Sequence, residues 1–408
     1  MTGRTEEDNY KETELGLLPE DWDIVMLGDI AKISSGGSAP QGKHYFNGNY
    51  PFIRVRHIDN EGFEIRKFDL ITNKAVKDYK LKLYTKGTIV FPKSGASVYL
   101  EKRAVLPVDA YIVSHLCAVI SNSSDVLQKF LFYMLRNIKL AKEKADGYPT
   151  LNLSEIKRTP IVLPALPEQK KIAYVLSTIQ QAKEKTENAI ASLRELKKSL
   201  MKHLFRYGPV SVKDAEKVKL KETEIGEIPE GWEVVELGKV ATLQRGKDLP
   251  RQQWLEGNIP IVGSGGIMGF HNVAVCKGPG VVTGRSGSIG KVTYIKENYW
   301  PHNTGLYVKN FHGNKPKFVY YLFHTLNFKK YATGVSVPTL NRNFIHAEKV
   351  QVPPLHIQEE ISLILSTIDK KIETLENRKK ALEELFRSML ENLMTAKIRV
   401  NHLEIGDG

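Results

Sequence analysis

Hydrophobic residues recur every seven positions in two stretches of the chain. In the first, Ile172, Ile179, Thr186, Leu193 and Leu200 form the seam; in the second, Ile361, Ile368, Leu375, Leu382 and Met389 do. Four heptads at this period predict long coiled-coil-like helices, over 163–206 and 352–397. Each would be roughly 60 Å long at ~1.5 Å per residue. A proline-rich step opens both, Leu163-Pro164-Ala165-Leu166-Pro167 and Val352-Pro353-Pro354-Leu355. The copies lie 189 residues apart, which is 27 heptads, so the two seams share one frame. Three residues on from the first seam run Val175, Ala182, Ala189, Leu196 and His203, small enough in the middle for close helix approach. Beside the second seam lie Leu365, Ile372, Phe386 and Leu393. That stripe is wider than a two-helix contact needs. The extra surface either deepens this pairing or docks helices of another subunit.

Outside the heptads the pattern shortens to β-type runs. Residues 51–55, 88–91, 111–113 and 119–120 read as strands, followed by a helix from Val126 to Ala145 capped by Asp125. The order returns later: strands at 259–262, 280–283, 291–295 and 306–309, then a helix from Pro316 to Tyr331. Both copies open alike, with Pro19-Glu20-Asp21-Trp22 and Pro229-Glu230-Gly231-Trp232. Both close on the same four letters, Pro149-Thr150-Leu151-Asn152 and Pro338-Thr339-Leu340-Asn341. An internal duplication follows. The expected layout is a disordered tail over 1–10, a globule over 11–162, a helix over 163–206 and a linker over 207–220. A second globule over 221–351, a helix over 352–397 and a tail over 398–408 complete it. The fold class is mixed α/β (α+β): two similar globules joined by two long antiparallel helices.

A net charge of +13 and a pI near 9.3 point to a polyanionic partner, nucleic acid first. Cys117 and Cys276 are the two cysteines, so no disulfide framework or cysteine zinc site is expected. The polar start does not resemble a signal peptide, and no apolar run reaches the ~20 residues of a membrane span. A cytoplasmic location is expected. Catalytic signatures are lacking. Gly284-Arg285-Ser286-Gly287-Ser288-Ile289-Gly290-Lys291 departs from a P-loop in its glycine spacing and in Val292, and reads as a tight hairpin. His44, His57, His115, His271 and His302 lack metal spacing, and no metal or bound cofactor is expected. No dinucleotide loop or nucleophile triad is present.

The binding signal is stronger. Residues 237–350 hold 15 Lys/Arg against 4 Asp/Glu, the excess that phosphate contacts require. Candidate DNA contacts in the second globule are Arg245, Lys247, Arg251, Arg285, Ser286, Lys291, His302, Asn303 and Arg342. The first globule offers Lys43, His44, Tyr45, Arg54, Arg56, His57, Lys93, Ser94, Lys102 and Arg103. Arg suits guanine edges and Asn suits adenine. Lys93-Ser94-Gly95 and Arg285-Ser286-Gly287 occupy matching places in the repeat.

The duplicated halves, the Pro-Glu-x-Trp openings, the Arg-Ser-Gly-Ser-Ile-Gly hairpin and the helix entries carrying Gln169 and Gln358 resemble the specificity subunit of type I restriction–modification systems. The resemblance runs from about Lys11 to Lys397. It implies a subunit without catalytic activity, whose globules are target-recognition domains each reading half of a split double-stranded DNA site. It implies paired helices that set the gap between half-sites and dock methyltransferase (modification) subunits. S-adenosylmethionine, ATP and Mg²⁺ would belong to partner modification and restriction subunits. Two rival readings are a self-contained DNA methyltransferase or nuclease, and a coiled-coil spacer with no DNA role.

Overall fold

The computed structural model of the chain describes residues 10–59, 62–141, 149–334 and 338–405. It divides into two units, Met1–Asn188 with Leu375–Gly408, and Ala189–Thr374. Each unit contains one mixed α/β globule and parts of both long helices, Leu166–Tyr207 and Leu355–Met394.

The proline steps explain where these helices begin. Strand Pro160–Leu163 pairs antiparallel with Asp23–Met26, and Lys349–Val352 with Glu233–Glu236. The closing strand of each globule thus lies against its opening strand. A proline lacks the N–H a ladder needs but suits a first helical turn, so Pro164 and Pro353 end the strands and Pro167 starts a helix. At the far end of the first helix, Gly208 takes φ 82°, open to glycine, and its N–H donates to the Leu204 carbonyl at 3.0 Å.

The two globules have one sheet plan. In the first, an antiparallel sheet runs Ala31–Ser35, Leu116–Ser121, Ile89–Pro92, Ala104–Val105; in the second, Thr242–Arg245, Gly305–Asn310, Gly280–Gly284, Val292–Ile295. A second, mixed sheet adjoins each, four-stranded in the first globule and three-stranded in the second, with a parallel pair placing Tyr111 opposite Phe52 and Trp300 opposite Ile261. Gly36 and Gly246 are needed where the sheets meet: a Cβ there would stand 2.1 and 2.2 Å from the carbonyl oxygens of Ile112 and His302. One core gathers Trp22, Phe130, Leu131, Phe132 and Leu176; the other gathers Trp232, Phe318, Tyr321, Phe323 and Leu365.

Gln169 and Gln358 fasten each globule to its helix. The Gln169 amide donates to the carbonyls of Asp125 and Pro164, both at 2.8 Å, and accepts from the Leu127 N–H at 2.9 Å. Gln358 donates to the Asn314 side chain and the Pro353 carbonyl and accepts from the Lys315 N–H at 3.0 Å. This bracket corrects the expected Asp125 cap: the helix begins at Gln128, because Leu127 and Asp125 are already held by Gln169. It ends at Asn137; residues 142–145 of the expected span lie outside the described residues. The corresponding helix in the second unit, Pro316–Thr325, likewise stops short of Tyr331, and a 3-10 turn covers Phe328–Tyr331.

Within each unit the long helices pack antiparallel. In the first, Lys183 approaches Glu383 at 3.8 Å while Glu187, one turn on, meets Lys379 at 3.1 Å. In the second, Lys197 meets Asp369, and Leu204 and Phe205 share a core with Ile361 and Leu365. Ile172 and Ile361 of the expected seam are buried, whereas Ile179, Leu193, Leu200, Ile368, Leu375, Leu382 and Met389 are half-buried. Thr186 of the expected seam is buried too, and Leu176, Gln180 and Lys183 join the buried line, so the first helix presents polar as well as apolar groups inward.

The expected C-terminal tail is corrected. Ala396 and Val400 are buried in the first core, and Arg399 is 5% exposed. Its guanidinium grips Glu168 at 2.7 and 2.9 Å and Asp21 at 2.8 and 3.2 Å. A buried guanidinium must be paired, and these carboxylates fix residues 396–403 in place. At the other end, residues 1–9 of the expected tail lie outside the described residues, and Tyr10 pairs with Pro19 in a short hairpin.

Candidate nucleic-acid interface

The second unit concentrates its candidate cations. Arg245 ends a strand, Arg285 follows the adjacent-but-one strand, and Arg342 opens the short helix Arg342–His346. Together with Thr339 and Asn341 they line one depression of about 390 Å³. Arg245 has one carboxylate nearby, Asp248 at 3.8 Å. Burial, followed by repulsion from Arg245, holds the Arg285 guanidinium below its ordinary pKa. Cations gathered with so little internal compensation favour an anionic or acceptor-rich ligand.

The repeated Pro-Thr-Leu-Asn letters position this cluster. The Leu340 N–H donates to the Arg285 carbonyl at 2.8 Å, and Ser286 bridges to Thr339. In the first unit Leu151 donates to the Lys93 carbonyl at 2.7 Å, and Ser94 bridges to Thr150. Lys93-Ser94 and Arg285-Ser286 are therefore structural equivalents, as their sequence places indicated. Ser94 is also tied to His115, its hydroxyl 2.6 Å from the imidazole. The loop from Gly284 to Lys291 closes a hairpin between antiparallel strands. The Lys291 ammonium is spent on the Gly265 carbonyl, so the likeness to a P-loop has no counterpart in geometry.

Lys247 and His302 lie opposite each other in a parallel bridge beside half-buried Asn303. Burial pushes the His302 imidazole below its ordinary pKa, opposed by Asp248. Arg251 is exposed and stacks over Trp254 at 5.6 Å.

The first unit differs. Arg54 and Arg56 both converge on Asp69, at 2.8 and 2.6 Å, and His57 lies 3.4 Å from the same carboxylate. Burial raises the Asp69 pKa, but hydrogen bonds and charge from Arg56, His57 and Arg54 outweigh it and leave the carboxyl below its ordinary value. Sequence alone offers both arginines as candidate DNA contacts and gives no sign of Asp69, which sits 13 residues beyond Arg56 and becomes a neighbour only through strand pairing. The pair is a pre-oriented fork, with Arg56 the more exposed member. Lys43 and Tyr45 lie in a short 3-10 turn, where the Tyr45 hydroxyl donates to Asp78 at 2.8 Å. Arg103 is corrected outright: it is 2% exposed, paired with Glu101 and packed over Phe91, so it presents no surface to DNA.

Among the described residues no group of three or more His, Cys, Asp or Glu side chains could hold a metal ion. No helix among them is long and apolar enough to cross a membrane.

The model of the type I restriction modification DNA specificity domain matches residues 19–194 and again 229–384. The chain belongs to that family. Similar proteins include the putative type I restriction enzyme MjaX specificity subunit of Methanocaldococcus jannaschii, 28% identical over 97% of each chain. The MjaVIII specificity subunit of the same organism is 27% identical, also over 97% of each. The fold is shared with the crystal structure of a type I restriction–modification S subunit from M. genitalium, at a TM-score of 0.65 and 17% identity, covering 96% of this chain and 97% of that one. In this specificity subunit the two family matches begin near the Pro-Glu-x-Trp turns and end within the long helices. Each therefore takes in the Gln bracket and the equivalent loop, at Lys93 or at Arg285.

Proposed function

We propose that this type I specificity subunit reads a bipartite double-stranded DNA site, one half with each globule. The single observation that carries the reading is the cluster of Arg245, Arg285 and Arg342 around one depression, with Lys93 at the place equivalent to Arg285. Sequence recognition rather than bond-making is this subunit's role, as its family membership gives. The paired helices set the spacing between half-sites and dock modification subunits. Those partners, and restriction subunits joining through them, supply the sites for S-adenosylmethionine, ATP and Mg²⁺. The assembly works in the cytoplasm. What supports the two-head reading is the contrast between the heads: one scaffold carries an Arg54–Arg56–Asp69 fork in one unit and a largely uncompensated arginine cluster in the other.

The test is to express the full chain with its cognate modification subunit and sequence the methylated bases. A split motif is expected. Lys93→Ala should then impair recognition of one half and Arg285→Ala the other, each by about 1–3 kcal/mol if the residue contacts a base. Equal loss across all sequences would reduce that residue to a phosphate contact; a motif without two separated halves would overturn the two-head reading. Adding one heptad to both helices should change the tolerated gap, and an unchanged gap would refute the spacing role.

A further inference from the structure

In the second unit the position equivalent to Arg54 carries no side chain. The Val113 N–H donates to the Ile53 carbonyl, and the His302 N–H to the Val262 carbonyl, so Ile53 matches Val262 and Arg54 matches Gly263. Another residue covers the gap. A Cβ on Gly263 would stand 2.3 Å from the Met268 sulfur and 2.7 Å from the Thr304 hydroxyl.

A β-bulge puts Met268 there. Strand Ile259–Gly263 pairs with Gly266–His271 so that Ile261 faces Gly269 and Val262 faces Ile267, leaving Met268 without a partner. An unpaired bulge residue has its side chain re-aimed, and bulges are common beside functional sites. Met268 remains 39% exposed. Thr304 connects it to the reading loop: the Thr304 carbonyl accepts from the N–H groups of Arg285 and Ser286 at 2.9 and 3.2 Å. The Thr304 hydroxyl is already engaged by the Ser264 N–H and the His302 ring. What this corner offers a ligand is an exposed thioether.

We propose that Met268 is a specificity-determining residue that reads the 5-methyl group of a thymine in the half-site of the second unit. The inference rests on the reading of that unit as a DNA-recognition head. Among unmodified base-pair edges in the major groove, thymine alone presents an apolar group. The exposed neighbours Ile267 and Phe270 extend the apolar edge strand, an arrangement that soluble proteins normally blunt with charge. Head one meets its base through a charged fork at the same point of the scaffold; head two meets it through a methyl contact.

The experiment uses the full chain assembled with its modification subunit, after the methylated motif has been determined. The half-site assigned by Arg285→Ala is prepared with each thymine replaced in turn by deoxyuridine, which deletes the methyl and leaves pairing intact. At one position binding should weaken about fourfold, the effect of one buried methyl-sized group. Met268→Ala should abolish that difference, Met268→Leu should retain it, and Lys93→Ala should not affect it, with thermal melts showing all three folded. A half-site without thymine on either strand, full tolerance of deoxyuridine at every position, or a methyl preference that survives Met268→Ala would overturn the proposal. Binding that is indifferent to scrambling the whole half-site would instead overturn the recognition reading beneath it.

Discussion

Replacing Arg399 by alanine tests how the chain's last residues are held. The guanidinium is nearly sealed from solvent and so is Glu168, at 5% and 6% exposure. Burial works against its charge, yet hydrogen bonds to Glu168 and Asp21 hold its pKa above the ordinary arginine range. Arg399→Ala leaves the Glu168 carboxylate buried with one remaining strong donor, the Trp22 indole N–H at 2.9 Å. Breaking a buried pair from one side costs about 3–5 kcal/mol. Because the indole bond survives and Asp21 is 60% exposed, the lower end applies, about 3 kcal/mol. For a unit of this size each kcal/mol lowers Tm by about 2–4 °C, so a drop of about 6–12 °C is expected. The assay is differential scanning calorimetry of the full chain, in which the transition of the first unit should fall while that of the second stays. The double change Arg399→Met with Glu168→Gln should recover part of the loss, since it leaves no unpaired charge. A fall of less than about 2 °C, or an equal fall in both transitions, would refute the account of Arg399 as the bolt holding this segment.

Gln358→Ala should cost about 2–3 kcal/mol by stranding the Lys315 N–H and the Pro353 carbonyl, seen as faster hydrogen exchange at Lys315. Glu187 lies between Lys183, Lys379 and Arg66 at 3.9, 3.1 and 3.7 Å. Glu187→Ala should lower stability by about 1–2 kcal/mol, after allowance for partial exposure, and the loss should shrink in high salt. His302 in the free chain should titrate below its ordinary value near 6.5. With the folded pKa depressed, its contribution is complete above that value and declines as pH falls below it, until the folded ring itself protonates. An NMR titration of the imidazole C–H signals checks this, and a midpoint at or above 6.5 would contradict the burial argument.

The heptads, the proline steps and the duplication made the architecture legible, because each is a local or periodic signal. Equivalence of Lys93 and Arg285 was legible for the same reason, since repeat alignment needs no coordinates. Three things were not. Asp69 captures Arg54 and Arg56 through strand pairing across a sequence gap, and composition cannot reveal such a partner. Arg399 sits in a short basic stretch that resembles a frayed end, and only its distant carboxylates identify it as core. Met268 falls outside the strands that the sequence pattern predicts, and a bulge depends on register. The glycines flanking it, Gly263, Gly265, Gly266 and Gly269, were the available hint: so many in one hairpin indicate close approach or a bulge.

The repeat itself separates what the scaffold needs from what it leaves free. Where the two halves agree, the residues make backbone-directed bonds: Gln169 and Gln358 seize N–H and carbonyl groups, Leu151 and Leu340 hold the loops at Lys93 and Arg285, and Gly36 and Gly246 admit a crossing carbonyl. Such bonds fix geometry regardless of which side chains project from the loops. Where the halves disagree, at Arg54 against Gly263 and Lys93 against Arg285, the antiparallel sheets of the two units keep the same strand order. A change at those points alters the chemistry exposed at the surface and costs the core little. The bracket therefore lets the exposed chemistry differ between the two units while the core stays the same: one carries the Arg54–Arg56–Asp69 fork, and the other carries the exposed Met268 at the equivalent point of the scaffold.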